Sequence, residues 1–374
     1  MIFQIVLTED CNLACKYCYI KSRKSYMTKE DIDLLIQNIN FILEEYGTQN
    51  YGISYYGGEP LLNWEVLKYA YYKFSQDRRV YQQSITSNLS LIDKEKLEFL
   101  TNNNITVIWS FDGLWQNENR PLRNSYSSYD IYLQKKEVIE KLKINRLSVT
   151  IRPENISEMT KNLEWIIDNW KIFPTYNTAI DTVWTEEDIN LFDKEIANLC
   201  NKYVQLTKQN IPALQNSIFL NTLQNILVTE KNGYRPFSCG AGTSQLAFLP
   251  DKIVYPCAMF GNNKKIPLWD FKNKNVFYQN INFVKNLHKI NLNSYKECSN
   301  CNISSYCYAG CAYLNLYNND NNINGKIPTY CKITKIIYRE SLRLYDELKN
   351  NDLFQKLLRH LKIVVTNNQV HYYV

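Results

Sequence analysis

Short apolar runs alternate with longer stretches of helical periodicity from residue 1 to about residue 210. Six of the runs are rich in β-branched and aromatic residues, which favours β-strands. The predicted strands are Phe3–Leu7, Gly52–Tyr56, Gln83–Ser87, Thr106–Phe111, Leu147–Ile151 and Thr175–Ile180. Strands that alternate with helices are typical of βα units around a parallel sheet, and six units are too few to close an eight-stranded barrel. The pattern predicts an α/β fold, a partial (β/α)6 barrel with its chemistry at the carboxyl ends of the strands.

The clearest helix start lies between the first two predicted strands. Thr28 is followed three residues later by Asp31, which is the spacing of a capping box. Apolar residues then recur at helical intervals, at Ile32, Leu35, Ile36, Ile39 and Leu43. This pattern predicts a helix that begins directly after Thr28.

A change in composition divides the chain. A helical stretch runs from about Glu186 to Lys231, and from Pro236 onward cysteines, asparagines and short strands replace the alternation of strands and helices. We predict a partial barrel over residues 1–210, a helical linker over residues 211–235, and a cysteine-rich domain with a C-terminal tail over residues 236–374.

Composition and charge exclude several classes of protein. The hydrophobic content of 45% is enough to bury a full core. The 43 basic and 37 acidic residues are scattered, which argues against a nucleic-acid partner and suits a weakly acidic peptide. The N-terminal segment lacks the basic start of a signal peptide, and no apolar run could span a bilayer. We therefore expect a soluble, cytoplasmic protein, in which eleven clustered cysteines indicate metal or redox chemistry rather than disulfides.

Three cysteines follow the first predicted strand directly. Cys11, Cys15 and Cys18 lie on what should be a loop at the strand's carboxyl end. Three thiolates leave one iron of a cubane cluster open, which is what a catalytic cluster needs to bind a small molecule. The alternatives are a zinc site with a fourth ligand from elsewhere, or three unrelated loop thiols.

This segment resembles the signature of the radical S-adenosylmethionine (radical SAM) superfamily, three cysteines at this spacing with an aromatic residue before the last. The resemblance implies that the open iron chelates the amino and carboxylate groups of S-adenosylmethionine and that Tyr17 lies near its adenine. Electron transfer from the cluster would then release a 5'-deoxyadenosyl radical.

Three later segments fit the same superfamily at the ends of later strands. Gly57, Gly58 and Glu59 resemble the segment that contacts the methionine amino group, since glycines let backbone approach a ligand closely. Ser110 resembles a serine that contacts ribose or carboxylate, and Arg120 resembles the arginine contact that follows it. For Glu59, Ser110 and Arg120 the alternative is a structural role in capping or pairing. The sequence departs from the family at Ser87-Asn88-Leu89, because relatives usually have a glycine after the asparagine.

The second group of cysteines lies in the C-terminal part of the chain. Its seven members are Cys239, Cys257, Cys298, Cys301, Cys307, Cys311 and Cys331. Seven thiols fit one four-cysteine cluster and one three-cysteine cluster. Zinc is the serious alternative, because Cys298, Cys301, Cys307 and Cys311 could bind it as four thiolates.

The spacing resembles the SPASM domain of radical enzymes that modify peptides, including Gly-Ala-Gly after Cys239 and Val-Tyr-Pro before Cys257. The resemblance implies three 4Fe-4S clusters in all. Cys239, Cys257 and Cys311 would bind the first auxiliary cluster, and Cys298, Cys301, Cys307 and Cys331 the second. Gln245 stands near the place of an eighth cysteine in some relatives, and Lys252 replaces a glycine that is usual before the Cys257 segment.

Cys200 and the histidines fall outside these sites. Cys200 shares a helical stripe with apolar residues such as Phe192, Ile196 and Tyr203, which indicates a buried core thiol. The three histidines, His288, His360 and His371, show no ligand spacing.

The leading functional hypothesis is a peptide maturase. It would abstract hydrogen from a ribosomally made precursor peptide and install a thioether or carbon–carbon cross-link, with flavodoxin or ferredoxin as the external electron donor. An anaerobic sulfatase maturase that forms formylglycine is the alternative, but such relatives carry an acidic residue where this chain has Ala258. A non-catalytic Fe-S electron-transfer or binding protein is the third possibility.

Recognition of the precursor's leader sequence needs a separate expectation. Many maturases bind the leader with a small domain before the radical core, whereas the first cluster cysteine here is residue 11. We expect a separate leader-binding protein, or a surface of this chain that includes the tail from Arg339 to Val374.

Overall fold

The computed structural model describes residues 1–20, 23–123, 127–179, 182–224, 239–287, 296–304, 306–307, 310–317 and 327–366. The strands are β1 Ile2–Thr8, β2 Tyr51–Gly57, β3 Val80–Ser87, β4 Thr106–Ser110, β5 Ile144–Ile151, β6 Pro174–Thr178, β7 Gln245–Phe248, β8 Ile253–Tyr255, β9 Trp269–Asp270 and β10 Asn275–Val276. The α-helices are α1 Lys29–Glu45, α2 Trp64–Ser75, α3 Lys94–Asn102, α4 Gln116–Asn119, α5 Ser128–Gln134, α6 Lys136–Lys141, α7 Met159–Trp170, α8 Glu186–Lys208, α9 Ala258–Asn262, α10 Tyr278–Leu287, α11 Lys296–Ser299, α12 Ala312–Tyr317, α13 Pro328–Leu348 and α14 Asp352–Thr366. Within these ranges, no helix has both the length and the apolarity needed to cross a membrane.

All six predicted strands are confirmed as β1 to β6, with their ends shifted by a few residues. Strands β1 to β5 are neighbours in sequence order and pair in parallel. The register places Val6 opposite Tyr56 and Ser84 opposite Thr106. Because parallel strands point the same way, their carboxyl ends share one edge of the sheet, and the loops that follow them meet there.

The sheet also contains strands that the sequence pattern did not predict. Strand β7 pairs in parallel with β1, with Ile2 opposite Gln245, and β8, β9 and β10 continue antiparallel from it. An exposed edge on β1 would leave a row of backbone N–H and C=O groups without partners. The C-terminal segment therefore satisfies the outer edge of the first strand.

Helix α1 confirms the predicted helix start. Thr28 Oγ1 accepts a hydrogen bond from Asp31 N at 3.3 Å, and Thr28 N donates to Asp31 Oδ2 at 3.0 Å, which completes the capping box. The apolar stripe is buried at Ile32, Leu35, Ile39 and Leu43, whereas Ile36 is half-buried. Burial of this stripe stabilises the helix more than intrinsic propensity does.

The chain forms two compact units. The first comprises Met1–Ser148 and Cys239–Lys289, and the second comprises Val149–Ser238 and Ile290–Val374. The second unit contains α8 and α13, and there Cys200 is fully buried as predicted, with its sulfur 3.5 Å from the backbone oxygen of Glu340. Strand β6 follows β5 in the sheet order, and Ala179 N donates to Ile151 O at 2.8 Å just beyond it. The domain boundaries near residues 210 and 236 stay a prediction based on motifs.

The helical stretch that is predicted from Glu186 to Lys231 is interrupted after Lys208 in the described part of the chain. Helix α8 ends at Lys208, and Asn210 then adopts a left-handed backbone with φ of 63°. Pro212 follows, and a proline cannot donate the backbone hydrogen bond that a continuing helix requires. Residues 225–238 lie outside the described part of the chain, as do His288 and His371.

Candidate active site

The loop after β1 arranges the first cysteine group through short local hydrogen bonds. Asp10 N donates to Thr8 Oγ1 at 3.0 Å, and Cys11 N donates to Asp10 Oδ1 at 2.9 Å. Leu13 N then donates to Cys11 Sγ at 3.4 Å. An N–H that points at a sulfur stabilises a thiolate there. The loop therefore presents the first thiol in a form suited to metal binding.

A second segment of the first unit fastens this loop. Ala14 N donates to Pro121 O at 2.8 Å, and Lys16 N donates to Asn119 O at 2.9 Å. Leu13 forms an isolated antiparallel bridge with Leu122. These backbone bonds join residues about a hundred positions apart in sequence, so the segment after β4 fixes the conformation of the cysteine loop.

Gly57 and Gly58 are required by contact with the protein's own backbone. A Cβ atom at Gly57, where φ is +140°, would lie 2.2 Å from Thr8 O. A Cβ atom at Gly58 would lie 2.0 Å from Asp10 O. Gly58 N donates to Thr8 O at 2.9 Å, and Glu59 N donates to Asp10 O at 2.8 Å. The glycines therefore let the second strand end press against the start of the cysteine loop.

Glu59 is fully buried, and its carboxylate already accepts three hydrogen bonds. Oε1 accepts from Leu61 N at 3.0 Å and from Ser87 Oγ at 2.7 Å. Oε2 accepts from Asn88 N at 2.8 Å. These bonds tie the end of β2 to the end of β3, which is the structural role that the sequence left open for this residue.

Burial raises the pKa of Glu59 to about 7, against the three hydrogen bonds, which lower it. An unfolded glutamate has a pKa of about 4.3, so between the two values the folded protein binds more protons than the unfolded protein. We expect this group to make the free energy of unfolding fall as the pH rises through that window. Denaturant unfolding of the wild type and of Glu59→Gln, at about pH 5 and about pH 8, checks this, and the variant should lack that part of the slope. An identical slope in both proteins would contradict the shift.

The two positions where glycine is replaced keep a glycine-like backbone. Leu89 follows Asn88 with φ of 56°, and Lys252 has φ of 66°. Leu89 is fully buried, and Lys252 forms a 3.0 Å ion pair with Asp31. These contacts offset the cost of the left-handed conformation. Asn88 Nδ2 lies 3.9 Å from Cys11 Sγ, where it can donate to the thiol.

Tyr17, which is half-buried, forms a triad with the buried side chains of Asp112 and Arg120. The Tyr17 hydroxyl donates to Asp112 Oδ2 at 2.6 Å, and Arg120 Nε lies 3.1 Å from the same oxygen. The guanidinium lies over the Tyr17 ring, 5.2 Å from its centroid. Asp112 is fully buried, and its backbone N–H donates to Gln116 Oε1 at 3.0 Å. The sequence pointed to Tyr17 and Arg120 separately but gave no role to Asp112, whose signal was an acid next to a predicted strand end.

A second tyrosine contact lies beside the third cysteine. The hydroxyls of Tyr19 and Tyr56 are 2.6 Å apart and hydrogen-bonded. Burial is the largest cause that raises the pKa of both tyrosines, and the charges of Cys18 and Cys257 also raise it. The two phenols therefore stay protonated at neutral pH and connect the cysteine loop to the end of β2.

Ser110 ends β4, half-buried and in register with Ser148 on β5. Phe111 N donates to Ser148 O at 3.2 Å, which keeps the two strand ends together. The serine lies two residues before Asp112. The predicted S-adenosylmethionine contacts at Tyr17, Gly58, Ser110 and Arg120 thus come from elements that meet at the carboxyl edge of one sheet.

The cysteine loop suits ligands that lose their protons only when metal binds. Burial raises the pKa of Cys11 to about 12 and that of Cys15 to about 11, while the charge of Arg120 lowers the pKa of Cys15. Such thiols are neutral without a metal and release protons when one binds. In the described part of the chain, no three Cys, His, Asp or Glu side chains converge on a single metal ion. A cubane cluster instead spaces its cysteines around separate irons.

Two further cysteines belong to the first unit. Cys239 is exposed at the start of the turn before β7, where Gly240 and Gly242 have φ of 67° and 74°. Cys257 is half-buried and directly precedes α9. The backbone N–H of Ala258 donates to Gln4 Oε1 at 3.1 Å, which fixes the Cys257 segment on β1. Gln245 begins β7, and its backbone closes the turn through Gly240 and Gly242.

The remaining cysteines of the second group belong to the second unit. Cys298, Cys301, Cys307, Cys311 and Cys331 are all half-buried. Cys301 N donates to Cys298 O at 3.0 Å, and Ser304 N donates to Cys301 O at 3.1 Å, so this pair lies on consecutive tight turns. Cys331 lies in the first turn of α13, where its N–H donates to Ile327 O. Turns and helix starts of this kind are common settings for thiolate ligands.

Comparison of the sequence with known proteins gives a match for the first part of the chain. Residues 5–166 match the radical SAM superfamily. A similar protein is the radical SAM cyclopropyl synthase TigE of Paramaledivibacter caminithermalis, which is 25% identical over 338 residues that cover 82% of this chain and 67% of that protein.

Solved structures share the fold along most of the chain. The structure of anSMEcpe with bound AdoMet has a TM-score of 0.73 at 20% identity and covers 96% of this chain and 98% of that one. SuiB of Streptococcus suis, bound to precursor peptide SuiA, has a TM-score of 0.55 at 18% identity and covers 88% of this chain and 75% of that one. At these identities the likeness shows the fold, an α/β architecture with the parallel sheet of a partial barrel.

Proposed function

We propose that this chain, whose residues 5–166 form a radical SAM domain, is a maturase that modifies a ribosomally made precursor peptide. It would abstract a hydrogen atom from the peptide and install a carbon–carbon or thioether bond. The observation that carries the proposal is the Cys11–Cys18 loop, which the segments after β2, β3 and β4 hold in place through Gly58, Asn88 and Asn119. An iron-sulfur cluster at a strand end needs this kind of rigid, partly buried cradle.

The similarity to TigE favours the carbon–carbon bond within this proposal. That protein is named a cyclopropyl synthase, and a cyclopropyl ring is closed by a carbon–carbon bond. The similarity extends over 82% of this chain. SuiB is described as binding a precursor peptide, which supports a peptide as the class of substrate.

The overall change balances as a two-electron oxidation of the peptide. Joining two atoms that each carry a hydrogen removes two hydrogens. One leaves as a hydrogen atom taken by the 5'-deoxyadenosyl radical, and the other leaves as a proton and an electron. The proton needs a base, and the electron needs an acceptor with a suitable potential.

We assign the radical cluster to Cys11, Cys15 and Cys18, because three thiolates leave one iron free for S-adenosylmethionine. When bound, this cluster supplies the electron that cleaves the sulfonium to a 5'-deoxyadenosyl radical. Arg120 provides positive charge beside Cys15 and so stabilises the thiolate over the thiol. An external donor such as flavodoxin or ferredoxin would deliver the electron.

The remaining residues of the site bind and orient S-adenosylmethionine in this proposal. Tyr17 offers its ring to the adenine, and Asp112 and Arg120 keep that ring in one orientation. Gly57 and Gly58 offer backbone to the methionine group, and Ser110 offers its hydroxyl to ribose or carboxylate. Glu59 positions the strand ends and does not contact S-adenosylmethionine in this proposal, since its carboxylate already accepts three hydrogen bonds.

We assign the seven other cysteines to two auxiliary clusters. Cys239, Cys257 and Cys311 would bind the first, and Cys298, Cys301, Cys307 and Cys331 the second. When bound, these clusters supply the acceptor for the electron that peptide oxidation releases. A separate leader-binding protein would deliver the precursor.

Replacing Cys307 with alanine is expected to separate the two groups of cysteines by function. The change takes away one of the four thiolates of the second auxiliary cluster and leaves one iron without its protein ligand, so modified peptide and stability should be lost. Formation of 5'-deoxyadenosine without product should persist. Product and 5'-deoxyadenosine are measured by mass spectrometry after reduction with dithionite. Normal product from this variant would remove Cys307 from the ligand set.

The function is tested by co-expressing the chain with each short open reading frame beside its gene. We expect one of the peptides to lose two hydrogens per new bond, with one 5'-deoxyadenosine formed per bond. A sulfatase-derived peptide converted to a formylglycine aldehyde would contradict cross-linking and support the maturase activity of the anSMEcpe type. Reduction that releases no 5'-deoxyadenosine would support a non-catalytic Fe-S protein.

A further inference from the structure

One face of the sheet in the first unit is lined by polar side chains. Along β5, Leu147 is fully buried, while Arg146 and Ser148 beside it are half-buried and belong to the opposite face. The strand registers extend this face across β1 to β5. One row contains Gln4, Ser54, Ser84 and Thr106, and the next row toward the carboxyl edge contains Val6, Tyr56, Thr86, Ile108 and Arg146. Seven of these nine residues are polar, Val6 and Ile108 being the exceptions, and we refer to the nine as the polar face.

Arg146 is the cationic member of the polar face. Its Nε is buried and has no hydrogen-bond partner among the described residues. Burial lowers the pKa of the guanidinium, and no neighbouring charge of the described residues counters that effect. Its partner across the register is Ile108, which is apolar. A partly buried guanidinium that has no counter-charge among the described residues costs free energy, and it therefore indicates a group that the protein binds.

The buried carboxylates of the first unit are all committed to other partners. Those among the described residues are Glu9, Asp31, Glu59 and Asp112. In the same order, their partners are Lys264, Lys252, the backbone N–H of Asn88, and Arg120. Within the described residues of this unit, none of these acids serves as the counter-charge of Arg146.

The row of Arg146 lies nearer the amino ends of the strands than the proposed S-adenosylmethionine contacts. Ser148, in register with Ser110, is two residues nearer the carboxyl end of the strand. Two residues along a strand correspond to about 7 Å. Tyr56, on the same row as Arg146, is hydrogen-bonded to Tyr19 next to Cys18. A ligand on this row would therefore lie about 7 Å from the row of Ser110 and Ser148, toward the amino ends of the strands.

We propose that Arg146 binds a carboxylate of the peptide substrate. This rests on the proposed function and adds the chemistry that the substrate must carry. The carboxylate is either the side chain of an aspartate or glutamate, or the peptide's own C-terminus. Arginine donates to a carboxylate through two parallel N–H groups, which fixes the orientation of the ligand as well as its charge. The chain's net charge of +6 also attracts an acidic peptide.

The binding test uses three synthetic nonapeptides built from glycine, alanine and serine. The first is blocked at both ends and carries one central glutamate. The second carries glutamine instead, and the third carries glutamine with a free C-terminal carboxylate. Affinity for the reconstituted holoenzyme with S-adenosylmethionine is measured by calorimetry. At least one carboxylate peptide should bind about 10- to 100-fold more tightly than the neutral one, and Arg146→Gln should remove that difference.

The matched control is Arg78→Gln, since Arg78 is an exposed arginine of the same unit and should leave all three affinities unchanged. Preference for the glutamate peptide identifies an acidic side chain, and preference for the free C-terminus identifies a terminal carboxylate. Equal affinities for the three peptides in the wild type, or an undiminished preference in Arg146→Gln, would overturn the proposal. Neither result would affect S-adenosylmethionine cleavage by the wild type. Absence of that cleavage would instead contradict the proposed function.

A stability measurement separates binding from a purely structural role. Arg146→Met keeps the aliphatic length of the side chain and removes the unpaired charge. If the guanidinium of Arg146 is unpaired until a ligand binds, the Tm of the peptide-free Arg146→Met holoenzyme should be about 2 °C or more above that of the wild type. A fall in Tm would show that the protein itself satisfies the arginine, and the proposal would fail.

Discussion

Cys15→Ala is expected to abolish the cleavage of S-adenosylmethionine, with a loss of at least about a thousandfold. The two remaining thiolates of the loop hold a cubane cluster poorly, because each lost thiolate removes a direct metal bond. Burial raises the pKa of Cys15 to about 11, so this side chain is a thiolate only when it is bound to metal. The measurement is 5'-deoxyadenosine formation by the anaerobically reconstituted, dithionite-reduced protein.

Cys200→Ala is the matched control for this experiment. Cys200 is a fully buried thiol that lies against Glu340 O on the second unit and belongs to neither proposed ligand group. The change should cost about 1 kcal/mol of stability and leave cleavage intact. Cleavage by Cys15→Ala at a rate near that of the control would remove Cys15 from the ligands of the radical cluster.

Asp112→Ala is expected to lower the free energy of unfolding by about 3–5 kcal/mol. The change leaves the buried guanidinium of Arg120 without its counter-charge, and it leaves the Tyr17 hydroxyl without its acceptor. Because the Tyr17 ring loses its fixed orientation, affinity for S-adenosylmethionine should also fall, by about tenfold. Denaturant unfolding and calorimetric titration with S-adenosylmethionine measure the two effects.

Asp33→Ala is the control for the Asp112 variant. Asp33 also accepts from a tyrosine, Tyr69, and pairs with Lys73, but its side chain is 37% exposed. Exposed pairs of this kind contribute about 1 kcal/mol or less. Adding Arg120→Met to Asp112→Ala should restore much of the lost stability, because the unpaired charge is gone. Equal costs for the Asp112 and Asp33 variants would contradict the account of the buried triad.

Most of the secondary structure in the first half of the chain can be predicted from local sequence patterns. The six strands and the start of α1 were predicted because short apolar runs rich in β-branched residues and a capping box are properties of neighbouring residues. Strands β7 to β10 were not predicted individually. Each is two to four residues long, and β7 pairs with β1, which lies more than two hundred residues earlier in the chain. Pairing over such a distance leaves no periodic signal in either segment.

The site shows the same division between local and distant information. Gly57 and Gly58 were noticed as a motif, but their role in contacting Thr8 and Asp10 depends on residues of another strand end. Asp112 could not be recognised as the partner of Tyr17, because 95 residues separate them. Conversely, Leu89 stands where relatives usually have a glycine, but the turn keeps the backbone conformation of a glycine, with a positive φ of 56°.

The central claim is one radical cluster on the Cys11–Cys18 loop and two auxiliary clusters on the other seven cysteines. Iron and sulfide content, with Mössbauer spectra, of the reconstituted wild type and of the variant lacking Cys11, Cys15 and Cys18 tests it most directly. The account predicts about twelve irons in the wild type and about eight in the variant. About four irons with bound zinc in the wild type would contradict it, and the C-terminal cysteines would then form a structural zinc site.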